Sequence, residues 1–477
     1  MTRAAGRLSA SGLAMIAIAV WIVACGSSEK PVGVASGPHT SGNPKILVSQ
    51  VSTDPGIPAG EAWVMTDPRD PLKVLVIWLA TRDRVDAVNL LTVPGYCGVA
   101  RSIDGGRTWS EMTQPFAPSD PPICGDPVGG VGPDGTIYLG ADQIGSVEWT
   151  AGIASSDWGQ TWAPLTEIFG LDQMLAAAAA NPGHRTPAIA LGREYMAVDQ
   201  ITGEVSVNSQ EDGGMEGRWL TVSKDHGANW SVPRPLDPDI QSNTAGPQSA
   251  ADGTIAVAYV VVPSSLEYLL SPSPAVVCVQ PCTVFETTSD QGASWTRHIM
   301  PNENVPGEKI VAADPSHLGR FAVLLGTSSG STLNTGTVLD FNNVATALEI
   351  WRTDDNGVNW TQTKVLKADP GDSLARPWIT YSPTGVLGAV WRVKHADGTT
   401  RPFAIVSRDG GTSFSAAIAL TDKVIPPDPQ FGPGDDCACN LHLDATSLSA
   451  TWADSSTGQR QIYYGRFDYT DLPASGT

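Results

Sequence analysis

The sequence predicts an all-β chain closed as a seven-bladed β-propeller, with six blades as the alternative count. Three observations predict it. An octapeptide recurs six times: SIDGGRTW from Ser102, SSDWGQTW from Ser155, SKDHGANW from Ser223, TSDQGASW from Thr288, TDDNGVNW from Thr353 and SRDGGTSF from Ser407. Its Asp residues, Asp104, Asp157, Asp225, Asp290, Asp355 and Asp409, lie 53, 68, 65, 65 and 54 residues apart, close to the length of one four-stranded blade. Beyond Asp409, 68 residues remain, about one further period, and a strand-like KILVSQVS at 45 to 52 has no blade of its own.

Composition agrees with this. The 477 residues include 49 Gly and 37 Pro, which suits many turns and few long helices. Hydrophobic residues make up 41%, enough for a packed core. Against 29 Lys plus Arg stand 49 Asp plus Glu, a formal charge of -20. Phosphate contacts need clustered cations, so an electrostatic nucleic-acid binder is excluded.

In chain order, Arg3 and Arg7 precede an apolar run from Leu13 to Ala24, and Ile22, Val23 and Ala24 lead into Cys25. The run is too short for a bilayer span of about 20 residues. The pattern resembles a bacterial lipoprotein signal, which implies a signal peptide at 1–24 and a lipid on Cys25. A Gly, Ser and Pro tether follows at 25–44, then a single domain at 45–470. The membrane is thus an expected partner. Cys25 apart, six cysteines remain, an even number that favours disulfides in an exported chain. Local pairing, Cys97 with Cys124 and Cys278 with Cys282, is the preferred reading, and Cys437 and Cys439 stay open. No Cys-x-x-Cys occurs and the His residues are scattered, so neither a metal nor a cofactor is expected.

Two strand candidates precede each octapeptide. They begin with EAWVMTDP and LKVLVIWLA, then DPVGGVGPDG and TIYLGAD. Later blades repeat the pattern in GREYMAVDQITGEVSVN, GPQSAADGTIAVAYVVV, GEKIVAADPSHLGRFAVLLG and ARPWITYSPTGVLGAVWRV. The last stretch, LHLDATSLSATWADSSTGQRQIYYGRFDY, reads as three strands without an octapeptide. Its exposed edge predicts pairing of 45 to 52 with the strand near Gln461 to Tyr469, closing the ring. Leu171 to Ala180 is the exception: its alanines favour helix and Asn181, Pro182 and Gly183 stop it.

The octapeptide resembles the Asp box, or BNR repeat, of the sialidase superfamily, over nearly all of the chain after the tether. The resemblance implies a turn between the third and fourth strands of a blade, away from the substrate face, so the six Asp residues are expected to be structural. Other motifs carry no chemistry. Gly130, Gly132 and Gly135 spell G-x-G-x-x-G but run into a turn and strand, and Gly371 to Leu374 spell GDSL without an α/β context.

Ligands of propellers bind at the channel mouth, where the innermost strand of each blade begins. Aligned by their turn residues, Glu61, Asp126, Arg193, Gly246, Glu308 and Arg376 occupy equivalent mouth positions in blades one to six, and blade seven contributes from Asp435 to Asn440. Trp63, Tyr195 and Trp378 lie two residues further along three of these strands, and Glu194 adjoins Tyr195. Arg193 and Arg376 are expected to be exposed and to grip an acidic ligand between aromatic walls. Sialidases place an Arg triad, a Tyr nucleophile with a Glu partner and an Asp acid/base at this mouth, with the first Arg in Phe/Tyr-Arg-Ile-Pro. That motif is absent: Ala375, Arg376, Pro377 lies in another blade, and Arg193, Glu194, Tyr195 has the residue types without the pattern. Two function classes therefore stand. One is a surface propeller that binds a glycan or an envelope protein without turnover. The other is an exo-sialidase-like glycoside hydrolase acting on an extracellular glycan.

Overall fold

The computed structural model describes residues 44–473, apart from 55, 82–94, 112–115, 117–122, 145–147, 181–190, 212–217, 237–243, 246–247, 262–277, 279–281, 303–308, 328–344 and 428–439. The signal peptide, Cys25, the tether up to residue 43, Gly246, Glu308, Cys437 and Cys439 fall outside the described residues.

Seven sheets form the described residues, antiparallel throughout except for one short added strand. Blade one is Ala59–Asp67, Asp70–Thr81, Gly95–Ser102 and Ser110–Glu111. Blade two is Ile123–Val131, Ile137–Ile144, Glu148–Ser155 and Thr166–Phe169, and blade three is Leu191–Val198, Val205–Glu211, Arg218–Ser223 and Arg234–Pro235. Blades four, five and six follow from Gln248–Ser249, Lys309–Ala313 and Ser373–Tyr381 as innermost strands. Each innermost strand packs on the next, and that of blade one touches blade seven, so the ring is closed. This is a seven-bladed β-propeller. Its last blade runs Asn440–Leu443, Ser447–Asp454, Gln461–Asp468 and then Leu47–Gln50, with Leu47 opposite Arg466 and Gln50 opposite Tyr463. The amino-terminal strand covers the edge that three strands would leave open.

The octapeptides join third to fourth strands in blades one to six and share one set of hydrogen bonds. In blade two the Ser155 hydroxyl donates to Asp157 Oδ1 at 2.9 Å and accepts from the Gly159 amide at 2.7 Å. Asp157 Oδ1 also accepts from the Thr161 amide at 2.8 Å, and Oδ2 from the Thr161 hydroxyl at 2.6 Å. The other five repeat this with Asn or Ser in place of Thr where the sequence varies. These bonds hold the Asp157 and Asp290 carboxyls down at about 2. The aromatic residue then packs on the preceding blade: Trp109 meets Tyr464 at 5.2 Å and Trp360 meets Phe285 at 5.0 Å.

Two disulfides, Cys97–Cys124 and Cys278–Cys282, follow the expected local pairing. The helix Leu171–Ala180 stands between blades two and three and buries Met174 and Ala177 in the main core. No described helix is long and apolar enough to cross a membrane. The G-x-G-x-x-G glycines form a strand-to-strand turn, in which the Gly135 amide bonds Gly132 O at 2.9 Å.

Blade four departs from expectation. Its innermost strand is only Gln248–Ser249, and the two residues Thr244–Ala245 ahead of it pair parallel with Lys309 and Ile310 of blade five.

Candidate functional site at the channel mouth

Four of the equivalent positions found by aligning turn residues share a backbone feature that the sequence did not show. The ladder between first and second strands slips between Gly60 and Trp63, between Gly125 and Val128, between Gly192 and Tyr195, and between Ala375 and Trp378. Each slip is a β-bulge of two residues, which turns side chains out of the regular alternation. Within them Glu61, Asp126 and Arg376 have φ of 53°, 41° and 49°. A left-handed non-glycine residue costs of order 1–3 kcal/mol, so the surrounding fold imposes these conformations.

The bulges build a clasp across blades one to three. Glu61 Oε2 accepts from the Asp126 amide at 3.2 Å. Behind Asp126, Glu194 is 1% exposed, and its Oε1 accepts from the Thr150 hydroxyl of blade two at 2.8 Å and from Ser209 at 3.1 Å. Thr150 also reaches Asp142 Oδ1 at 3.3 Å, and carboxylate oxygens of Asp126, Asp142 and Glu194 all lie within 4.8 Å of one another. Burial drives the Glu194 carboxyl up to about 7; the Asp126 charge adds to the rise, and hydrogen bonds to Asp142 and Thr150 offset part of it. Three oxygen ligands at such spacing are the cation-compatible group found among the described residues. Burial favours the protonated form of Glu194, so this clasp holds a proton to higher pH than an ordinary Glu does.

On the axis, rings from three blades meet. Trp63 and Trp378 lie 4.9 Å apart edge to face, and Tyr195 stacks on Trp378 at 5.9 Å and 25°. Trp63 and Trp378 are 9% and 6% exposed, while Tyr195 is half-buried. Beyond them a cavity of about 160 Å³ continues down the axis, lined by residues of all seven blades.

Other expected site residues behave differently. Arg376 is 6% exposed and engaged within the fold, which corrects the expectation of an exposed guanidinium. It lies in a run, Leu374 to Ile379, that is buried throughout. Arg193 sits in the blade-three bulge, and its side chain lies outside the described residues. In blade five Glu308 is likewise outside them, and the adjoining Lys309, which the sequence reading passed over, is fully buried with partners inside the fold. In blade seven Asn440 Oδ1 accepts from the Val64 amide at 2.9 Å, tying the last blade to the first. The six octapeptide Asp residues sit in the turns between third and fourth strands, hydrogen-bonded to their own turns. Alternation of apolar residues signals strands, but nothing in a single strand signals a bulge, so the sequence could supply the positions and not the geometry.

The fold and mouth define a class, a seven-bladed propeller with bulge-borne charges around an aromatic floor. No family model and no curated protein matches the chain. Among solved structures it is similar to a protein of unknown function from Dyadobacter fermentans, at 14% identity and TM-score 0.47, covering 90% of this chain and 100% of that one. It is similar to a Hadza microbial sialidase at 16% and 0.44, covering 80% and 75%. A GH93 α-L-arabinofuranosidase of Fusarium graminearum solved with arabinobiose matches at 12% and 0.45, covering 89% and 98%. These likenesses are loose, and the propeller stands on its own sheets.

Proposed function

We propose that the chain is an exported, lipid-anchored propeller that binds a glycan, free or carried on an envelope protein, at the channel mouth and does not turn it over. The observation that carries this is the half-buried Tyr195 backed by Trp378 and Trp63 and ringed by the bulges of Glu61, Asp126, Arg193 and Arg376. An aromatic face stacks on a sugar ring, and charged groups around it bond hydroxyls or a carboxylate. One observation weighs against turnover: Glu194, the carboxyl that holds a proton near neutrality, is sealed at 1% exposure. The hydrolase reading keeps one supporting observation, the Glu194 proton held near neutrality, as a general acid requires. Chromogenic sialosides and arabinofuranosides distinguish the two: binding without release of the chromophore is expected, and release that Glu194→Gln abolishes at unchanged fold would establish the hydrolase.

Export agrees with two disulfides, which form in oxidising compartments. The lipid rests on Cys25 and the residues before it. Cys25→Ser is expected to move the protein from the membrane to the soluble fraction or to block its processing; unchanged partitioning after detergent-free fractionation would refute the anchor.

A further inference from the structure

On the turn face, between blades one and two, lies a groove of about 480 Å³, within the range of small-ligand pockets. Arg69, Lys73 and Arg101 line it, a concentration of cations in a protein whose formal charge is -20. The acids that line it are committed. Asp67, 1% exposed, takes two hydrogen bonds from the Arg69 guanidinium at 3.0 Å each and pairs with Lys73 at 3.7 Å. Asp157 is held by its own turn.

Arg101 is different. Its Nη1 bonds the Trp158 carbonyl at 3.1 Å, and it has no carboxylate partner among the described residues. That bond fixes the guanidinium in the wall, and the Ser110 and Ser156 hydroxyls stand exposed beside it. Arg69 is fixed from the other side, because Gly135, with φ of 79°, leaves its guanidinium the space a Cβ would fill. Arg69 is already engaged by Asp67 and Asp134, and Lys73 by Asp67, so the charge left to a ligand is that of Arg101, which matches a monoanion better than a phosphate dianion. A planar guanidinium also suits a carboxylate.

We propose that this groove is a second ligand site, separate from the channel mouth, that takes a monocarboxylate carried on a sugar-sized body, as in a uronic acid. Titration of the full chain with sodium glucuronate, glucose and inorganic phosphate, followed by calorimetry or ligand-observed NMR, tests it. Glucuronate is expected to saturate and glucose to show no binding. Arg101→Gln weakens glucuronate about tenfold or more, the loss of one charge-assisted contact. Ser156→Trp, which fills the groove from an exposed position without touching the turn's hydrogen bonds, abolishes it. Equal binding of glucose and glucuronate, or wild-type affinity in both Arg101→Gln and Ser156→Trp, would overturn the site. Phosphate binding tighter than glucuronate and lost in the same variants would overturn the monocarboxylate assignment.

Discussion

Glu194 meets Thr150 and Asp142 across the seam between blades two and three, and its proton makes that seam sensitive to pH. Its folded carboxyl titrates above the ordinary value of 4.5, so between that value and neutrality the folded state binds a proton that the unfolded chain has released. Stability from this group is therefore complete in acid, falls as pH rises through that window and levels off above it, a change of order a few kcal/mol. Buried His442, held down to about 4, gives the opposite trend over nearly the same window, so the Glu194 contribution is read as the difference between wild type and Glu194→Gln in thermal unfolding from pH 4 to 8; identical pH profiles would remove the proton-holding clasp. At this scale the sequence was only partly legible. Turn residues placed Glu61, Asp126, Arg193 and Arg376 at equivalent positions, and the ladders of those four blades slip there. The burial of Arg376 and the approach of Asp142 to Glu194 depend on neighbouring strands, and no pattern along one strand carries that information.

The octapeptide turn shows how an element can be read almost completely from its residues. Two consecutive left-handed residues end each turn, for example Asn356 and Gly357 at φ of 57° and 93°. A Cβ on Gly357 would lie 2.5 Å from a ring carbon of Phe285 in the preceding blade, whereas Gly227 and Gly292 at the same position have ordinary room. The first position varies as Gly, Trp, His, Gln and Asn while the second stays Gly. Gly357→Ala is expected to cost roughly 1–3 kcal/mol or more, from backbone strain plus the clash, whereas Asn356→Ala costs less. Denaturant melts of the two variants check this, and equal losses would contradict it. The helix Leu171–Ala180 was equally legible because its propensity and its stop residues are local. The transfer of Thr244–Ala245 to blade five was not, since it is decided by an edge on another sheet.

For the whole molecule, periodicity carried the most information. Six octapeptides and one boxless remainder gave the blade count, and the strand left without a blade supplied the closing partner, Leu47–Gln50 against Gln461–Asp468. Function was less legible, because the mouth is assembled from bulges and rings of blades that lie far apart in sequence. Trp63 and Trp378 are in edge contact although 315 positions separate them. The central claim is that this assembled mouth binds a glycan without cleaving it. A glycan array probed with the full chain and with Tyr195→Ala tests it most directly, with circular dichroism to verify that the variant is folded and mass spectrometry of the bound glycans after incubation. Glycan binding by the wild type is expected, at least tenfold weaker in the folded variant, with every glycan recovered intact. Binding that ignores Tyr195, or cleaved glycan on the wild-type array, would contradict it.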